Sequence, residues 1–138
     1  FAMGTTQTAL AHSISYPFTS QFGVPHGLAC SFTLAEVARF NMETNPKRLE
    51  SIALGLGCSV EQIPPQLESW FDELGVPELI LSYITQDVID RLDDHLITRS
   101  RAANNIRAVN GMQARIIVRE ALDKLNRSTS NKAFKVLA

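Results

Sequence analysis

Residues 12–41 read HSISYPFTSQFGVPHGLACSFTLAEVARFN. Two histidines, His12 and His26, stand fourteen residues apart, with Pro17 and Pro25 between them. The chain's 13 Lys and Arg and 14 Asp and Glu all lie beyond residue 35, so neither imidazole has a carboxylate near it in sequence. The fold turns on how this uncharged stretch is read. A membrane span does not fit, because Ser13, Ser15, Pro17, Ser20, Gln21, Gly23 and Pro25 interrupt any apolar run of about 18 residues. A secretory leader does not fit either, for want of a basic segment ahead of it. What is left is a segment buried at the centre of a soluble protein. Exposed chain ends are usually polar, so an opening of this kind leads us to expect that these residues begin inside a larger protein.

Read as local structure, the stretch predicts two helices around a loop. The first spans roughly residues 2–15, the loop runs from Tyr16 to Pro25, and the second covers His26 to Asn41. Leu28, Ala29, Cys30, Phe32, Leu34, Ala35, Val37, Ala38 and Phe40 point in all directions around that second helix, the pattern of a helix buried on every side. These two helices are predicted to form the middle of a bundle.

Further along, the helix signals are plain. Asn45-Pro46 has the form of an N-cap with proline at the first helical position. Leu49, Ile52, Ala53 and Leu56 follow at helical spacing, and Gly57 closes the run. Ser59 and Gln62 have the spacing of a capping box. Leu67, Trp70, Phe71 and Leu74 repeat the period ahead of Gly75 and Pro77. Thr85 is placed to cap a helix carrying Val88, Ile89, Leu92 and Leu96. A last helix starts near Met112 with Ala114, Ile117, Val118, Ala121 and Leu125 on one face, and the tail from Asn126 is expected to pack last or fray. Only Glu78 to Ile84 is ambiguous between helix and strand. The fold class is all-α, a single helical bundle over residues 1–138.

The bulk numbers exclude several classes. At 138 residues, 45% hydrophobic, 20% charged and a net charge of −1, the chain is large enough for a real core. It lacks the basic excess of a nucleic-acid binder. Two cysteines, Cys30 and Cys58, sit in apolar contexts without metal or redox spacing. They point to a reduced, cytoplasmic protein.

The two predicted helices, turned back on each other, bring His12 and His26 to one side of the bundle within reach of a single ion. Neutral imidazole suits Zn, Fe or Co in the divalent state. The alternative is a pair of core histidines, each bonded to a carbonyl. The missing carboxylate favours that alternative, since a metal takes three or four protein ligands. His95 follows Asp93-Asp94 on a charge-rich segment and reads as a surface or half-buried residue. The residues alone leave both readings open.

The same stretch resembles the iron-containing (group III) alcohol dehydrogenases. Their C-terminal helical domain carries a histidine, then, fourteen residues on, the histidine of a PHG ahead of a buried helix ending in RFN or RYN. The likeness covers residues 9–41 closely. AANNIRAV, residues 102–109, is a weaker echo of the family's NPR segment, with Ile106 in place of proline. The resemblance implies a dehydroquinate-synthase-like fold of which this chain is the C-terminal domain. It makes His12 and His26 ligands of a catalytic divalent metal, Fe2+ or else Zn2+. It assigns the remaining ligands, and the N-terminal domain that binds NAD or NADP, to residues before Phe1.

Where many members have a further histidine four residues after the first ligand, this chain has Tyr16. On a helix, positions i and i+4 share a face. A phenol there donates to an alkoxide or relays a proton, but is no base near neutral pH unless its pKa is lowered. Tyr16 is thus the candidate catalytic residue, with simple packing as the alternative. The run from His12 to Gly27 is similar to the phosphonoacetaldehyde reductase branch, and Thr19, Ser20 and Gln21 are neutral donors for an anionic group. The function implied is hydride transfer between nicotinamide and a small aldehyde or alcohol, with these residues inactive alone and a homo-oligomer, dimer or larger, expected. The competing readings are a non-enzymatic helical interaction domain and a glycerol-dehydrogenase-like or dehydroquinate-synthase-like relative.

Overall fold

The computed structural model describes residues 9–85 and 104–137, with side chains to residue 133. The helix predicted after Thr85, His95, and the first helix's start before residue 9 lie outside the described residues. Within them the chain is helical and has no strand. The first three helices are α1 (Leu10–Phe22), α2 (His26–Ser31) and α3 (Leu34–Met42). A 3-10 turn (Pro46–Leu49) leads into α4 (Glu50–Leu56), and a second (Val60–Gln62) into α5 (Ile63–Glu73). The last two are α6 (Val76–Tyr83) and α7 (Gly111–Leu137). No helix among the described residues is long and apolar enough to cross a membrane.

The first helix corrects the sequence reading. The predicted loop from Tyr16 to Pro25 is mostly helix, since α1 runs through Pro17 to Phe22. A proline inside a helix costs about 3 kcal/mol through its lost donor and ring clash. Packing offsets it here. Phe18, one residue on, is fully buried, and its ring meets Phe32 edge-on at 5.1 Å and Phe22 at 6.2 Å. Burying one such ring contributes about 1.5–3 kcal/mol. The helix ends at Gly23, whose φ of 67° is left-handed, with its N–H and that of Val24 donating to the Phe18 carbonyl. The turn is therefore only Gly23-Val24-Pro25.

The second predicted helix is two, broken at Phe32-Thr33, where the Phe32 ring turns inward to Phe18 and Thr33 is fully buried. α3 comes nearest to the expected burial on all sides, although Leu34 at its first position is exposed. Ala35, Glu36, Val37 and Ala38, nearly a full turn, are all buried, whereas His26 and Gly27 on α2 are exposed. On α5 the predicted apolar stripe is half right: Leu67 and Phe71 pack inward, but Leu74 is 72% exposed.

The main core joins α1, α2, α6 and α7 through Leu10, Ile14, Phe18, Ala29, Ile80 and Val118. A smaller one sits under α3, α4 and α5, around Ala38, Leu49, Ala53 and Ile63. Gly57 and Gly75 take left-handed conformations at the helix ends where they were expected. The Ser59–Gln62 capping box forms, and Asn110 and Gln113 form the same reciprocal pair at the start of α7. Glu78 to Ile84, the ambiguous piece, is helix as far as Tyr83. The tail does not fray: α7 continues to Leu137, pinned where the Ser128 hydroxyl donates to Asp72 at 2.6 Å and the Lys132 ammonium to the Asp72 carbonyl at 3.0 Å.

Two polar ties fix the end of α3 against the segment that precedes α7. Asn41, the end of the RFN run, exchanges side-chain amide bonds with Asn105 at 3.1 and 2.8 Å. Arg107 donates to Glu43 at 2.6 Å and lies 4.1 Å over the Phe40 ring. The two sequence stretches singled out as a motif and its echo are thus in direct contact. Beside them, buried Glu36 accepts from Lys124 and Arg39, which also reach Glu68. Burial opposes ionisation of Glu68, but hydrogen bonds and charge from Arg39 and Lys124 prevail and hold its carboxyl below the usual range.

Candidate metal centre

The three-residue turn brings α2 back onto α1, and α1 packs more extensively on α2 than on any other described helix. The apolar side of α1, Leu10, Ile14 and Phe18, faces the core. That rotation sets His12 and Tyr16, one turn apart, on the outer side. The Ser15 hydroxyl donates to the His12 carbonyl at 2.7 Å, and on α2 the Ser31 hydroxyl donates to the Gly27 carbonyl at 2.7 Å.

His12 and His26 meet. Their ring centroids are 4.7 Å apart and nearly perpendicular, at 84°. The Tyr16 ring joins them, 5.2 Å from His12 and 5.9 Å from His26. Its hydroxyl lies 3.1 Å from His12 Nε2. Tyr16 is 38% exposed, His12 half-buried and His26 exposed, so the group opens to the surface. The structure therefore brings together all three residues singled out in the sequence. Thr19 is half-buried with an enclosed hydroxyl, while Ser20 and Gln21 are exposed on the last turn of α1.

Sequence reasoning missed a fourth member. Cys30, read as an apolar residue outside any metal spacing, has its Sγ 3.6 Å from His12 Nδ1 and 3.6 Å from His26 Nε2. The readable signal was its position four residues after His26, which on a helix means the same face. The link to His12 was not readable, because it depends on the length of the turn. Cys58 does sit among apolar residues, as predicted, and both thiols are free.

The donor chemistry fits a divalent ion. One donor atom from each of His12, His26 and Cys30 lies within 4.8 Å of the others. Around a tetrahedral ion with bonds of about 2.0–2.3 Å, neighbouring donors stand roughly 3.3–3.7 Å apart. The two 3.6 Å separations from Cys30 match that edge. Imidazole is a ligand common to iron and zinc. No residue of α1 or α2 is charged, so these helices offer neutral nitrogens and a thiol but no carboxylate.

With the geometry established, comparison with known proteins places it. The sequence profile described as Fe-containing alcohol dehydrogenase family, C-terminal, matches residues 1–122. The phosphonoacetaldehyde reductase of Streptomyces viridochromogenes is 45% identical over 40 residues, covering 29% of this chain and 10% of that protein. The bifunctional aldehyde-alcohol dehydrogenase of Escherichia coli is 30% identical over 95 residues, covering 51% of this chain and 11% of that protein. The NADP-dependent alcohol dehydrogenase 3 of Entamoeba histolytica is 31% identical over 77 residues, covering 53% and 20%. The chain thus spans a fifth or less of the length of these relatives. No solved structure matches it significantly.

Proposed function

The chain belongs to the Fe-containing alcohol dehydrogenase family, and from that premise we propose that it is the metal-binding helical part of an NAD(P)-dependent enzyme interconverting a small aldehyde and its alcohol. The observation that carries this reading is the meeting of His12 and His26, with ring centroids 4.7 Å apart on the open side of the bundle.

In this reading His12 and His26 hold a divalent ion, iron before zinc, together with donors from another part of the protein. When bound, the ion supplies Lewis-acid polarisation of the substrate oxygen and the nicotinamide supplies hydride. The chain's own residues do the rest. α1 and α2 set the two rings nearly at right angles, at 84°. Tyr16 holds a proton at its hydroxyl, 3.1 Å from His12 Nε2. It donates that hydrogen to the substrate's oxygen or to an anionic group on it. Ser20 and Gln21, exposed on the next turn of the same helix, are neutral donors in line with a phosphonate-bearing aldehyde; the enclosed Thr19 hydroxyl is not. The likeness to a phosphonoacetaldehyde reductase supports that finer choice of substrate. Nicotinamide binding falls to another domain, because these residues contain no glycine-rich strand–turn–helix signature.

The test is the full-length enzyme carrying His26→Ala, followed by elemental analysis and by aldehyde-dependent NAD(P)H oxidation. Both metal and turnover should be lost. Retention of full metal content and full turnover sinks the reading. Phosphonoacetaldehyde against acetaldehyde as substrates then decides the branch: equal kcat/KM for the two removes the phosphonate proposal and leaves the dehydrogenase.

A further inference from the structure

We infer that Cys30 is a third donor in the same centre, so that the chain carries an N,N,S set of its own. The inference rests on the reading of His12 and His26 as metal donors and extends it to a sulfur ligand.

Three observations carry it. Cys30 Sγ stands 3.6 Å from a nitrogen of each imidazole, a hydrogen-bonding separation that is also that of neighbouring donors around one small ion. The three side chains also come from two helices locked by a three-residue turn: His26 and Cys30 share one face of α2, and His12 faces them from α1 with Nδ1 toward the sulfur. Finally, the same residue type behaves differently elsewhere in this molecule. Cys58 packs against the apolar cluster of Ala38, Leu49, Ala53 and Ile63, whereas Cys30 meets two ring nitrogens on the open side. Apolar packing accounts for the first cysteine and not for the second.

The chemical class of ligand follows from the donors. A sulfur beside two imidazoles suits a borderline ion such as Fe(II), Zn(II) or Co(II), and does not suit Mg(II) or Ca(II). On binding, the thiol proton passes to solvent and the sulfur binds as thiolate. Three donors on one chain also change what these 138 residues can do alone, since a three-ligand set holds an ion that a bare histidine pair would release.

The probe is cobalt(II), titrated into the reduced 138-residue chain under anaerobic conditions and followed in the near-ultraviolet and visible. The expected result is one Co(II) per chain with a thiolate-to-cobalt charge-transfer band. In Cys30→Ser the band should vanish and affinity fall by at least roughly 10–100-fold, the loss seen even for outer-shell partners of a metal. Alkylation with iodoacetamide, mapped by peptide, gives a readout that needs no variant: Zn(II) should protect Cys30 and leave Cys58 as reactive as before. Co(II) bound without the charge-transfer band, and lost in His26→Ala, overturns the sulfur ligand while the histidine reading stands. A charge-transfer band that persists undiminished in His26→Ala overturns the N,N,S set, because the sulfur then binds cobalt without that imidazole. Absence of any Co(II) binding to a chain with native circular dichroism overturns the three-donor set.

Discussion

Two polar clusters in this molecule are built from side chains far apart in sequence, and they are opposites. Around Glu36 the chain brings together two carboxylates and two cations. Glu36 itself is 3% exposed, and Lys124 reaches it at 2.6 Å. Around His12 it brings together two imidazoles, a thiol and a phenol, half-buried or exposed, with no carboxylate or ammonium of α1 or α2 among them. The charged cluster is balanced within itself, tying α3, α5 and α7 together. Among the described residues the second joins α1 to α2, whose inner faces are held by Leu10, Phe18 and Ala29. The lesson is that the cluster richest in charge is buried and holds three helices together, while the cluster of imidazoles, thiol and phenol lies on the open side of the bundle.

Substitutions test this division, and the largest effect belongs to the charged cluster. Replacing both Arg39 and Lys124 with Met leaves Glu36 buried without a counter-charge. That should cost about 3–5 kcal/mol in urea unfolding; an unchanged midpoint would break the comparison. Next comes the amide pair between Asn41 and Asn105. Asn105→Ala leaves the buried Asn41 amide unsatisfied and should cost about 1–3 kcal/mol by the same measurement, and no loss would show that the contact contributes nothing to holding α3 against the segment before α7.

Acid should act on the charged cluster as well. Glu68 has a folded pKa below its unfolded one, so its contribution is fully present above the unfolded value of about 4.3. It is lost as pH falls through the lower, folded value. Glu68→Gln should therefore flatten the decline of thermal midpoint with pH in the acid range, and an unaltered slope excludes Glu68 as a source of it. The smallest effect on stability belongs to the imidazole cluster. His26→Ala, an exposed truncation, should change unfolding free energy by no more than about 0.5 kcal/mol even though metal retention is lost. A loss of several kcal/mol would make the histidines structural and erase the contrast between the clusters.

Much of the helical layout was legible because it is written in local signals. Gly57, Gly75 and the Ser59–Gln62 box each mark a helix boundary through backbone chemistry that neighbours do not alter. What was misread depends on distant partners. Pro17 looks like the start of a loop until Phe18 finds Phe32 fourteen residues on. Leu74 fits a helical stripe yet stays exposed, since Gly75 ends the helix just where the stripe would need a partner. At the candidate centre, His12 and His26 were legible as types at a spacing, and Tyr16 as their i+4 neighbour. Cys30 was not, because its meeting with His12 is made by the turn.

That turn has a consequence of its own. Surface connections between helices ordinarily tolerate added or deleted residues. Gly23-Val24-Pro25 works instead as the key between two cogs. Each residue of helix advances the azimuth by about 100°, so one extra residue that shifted α2 by a single step would swing His26 and Cys30 away from His12 together, and turn Ala29 out of the core with them.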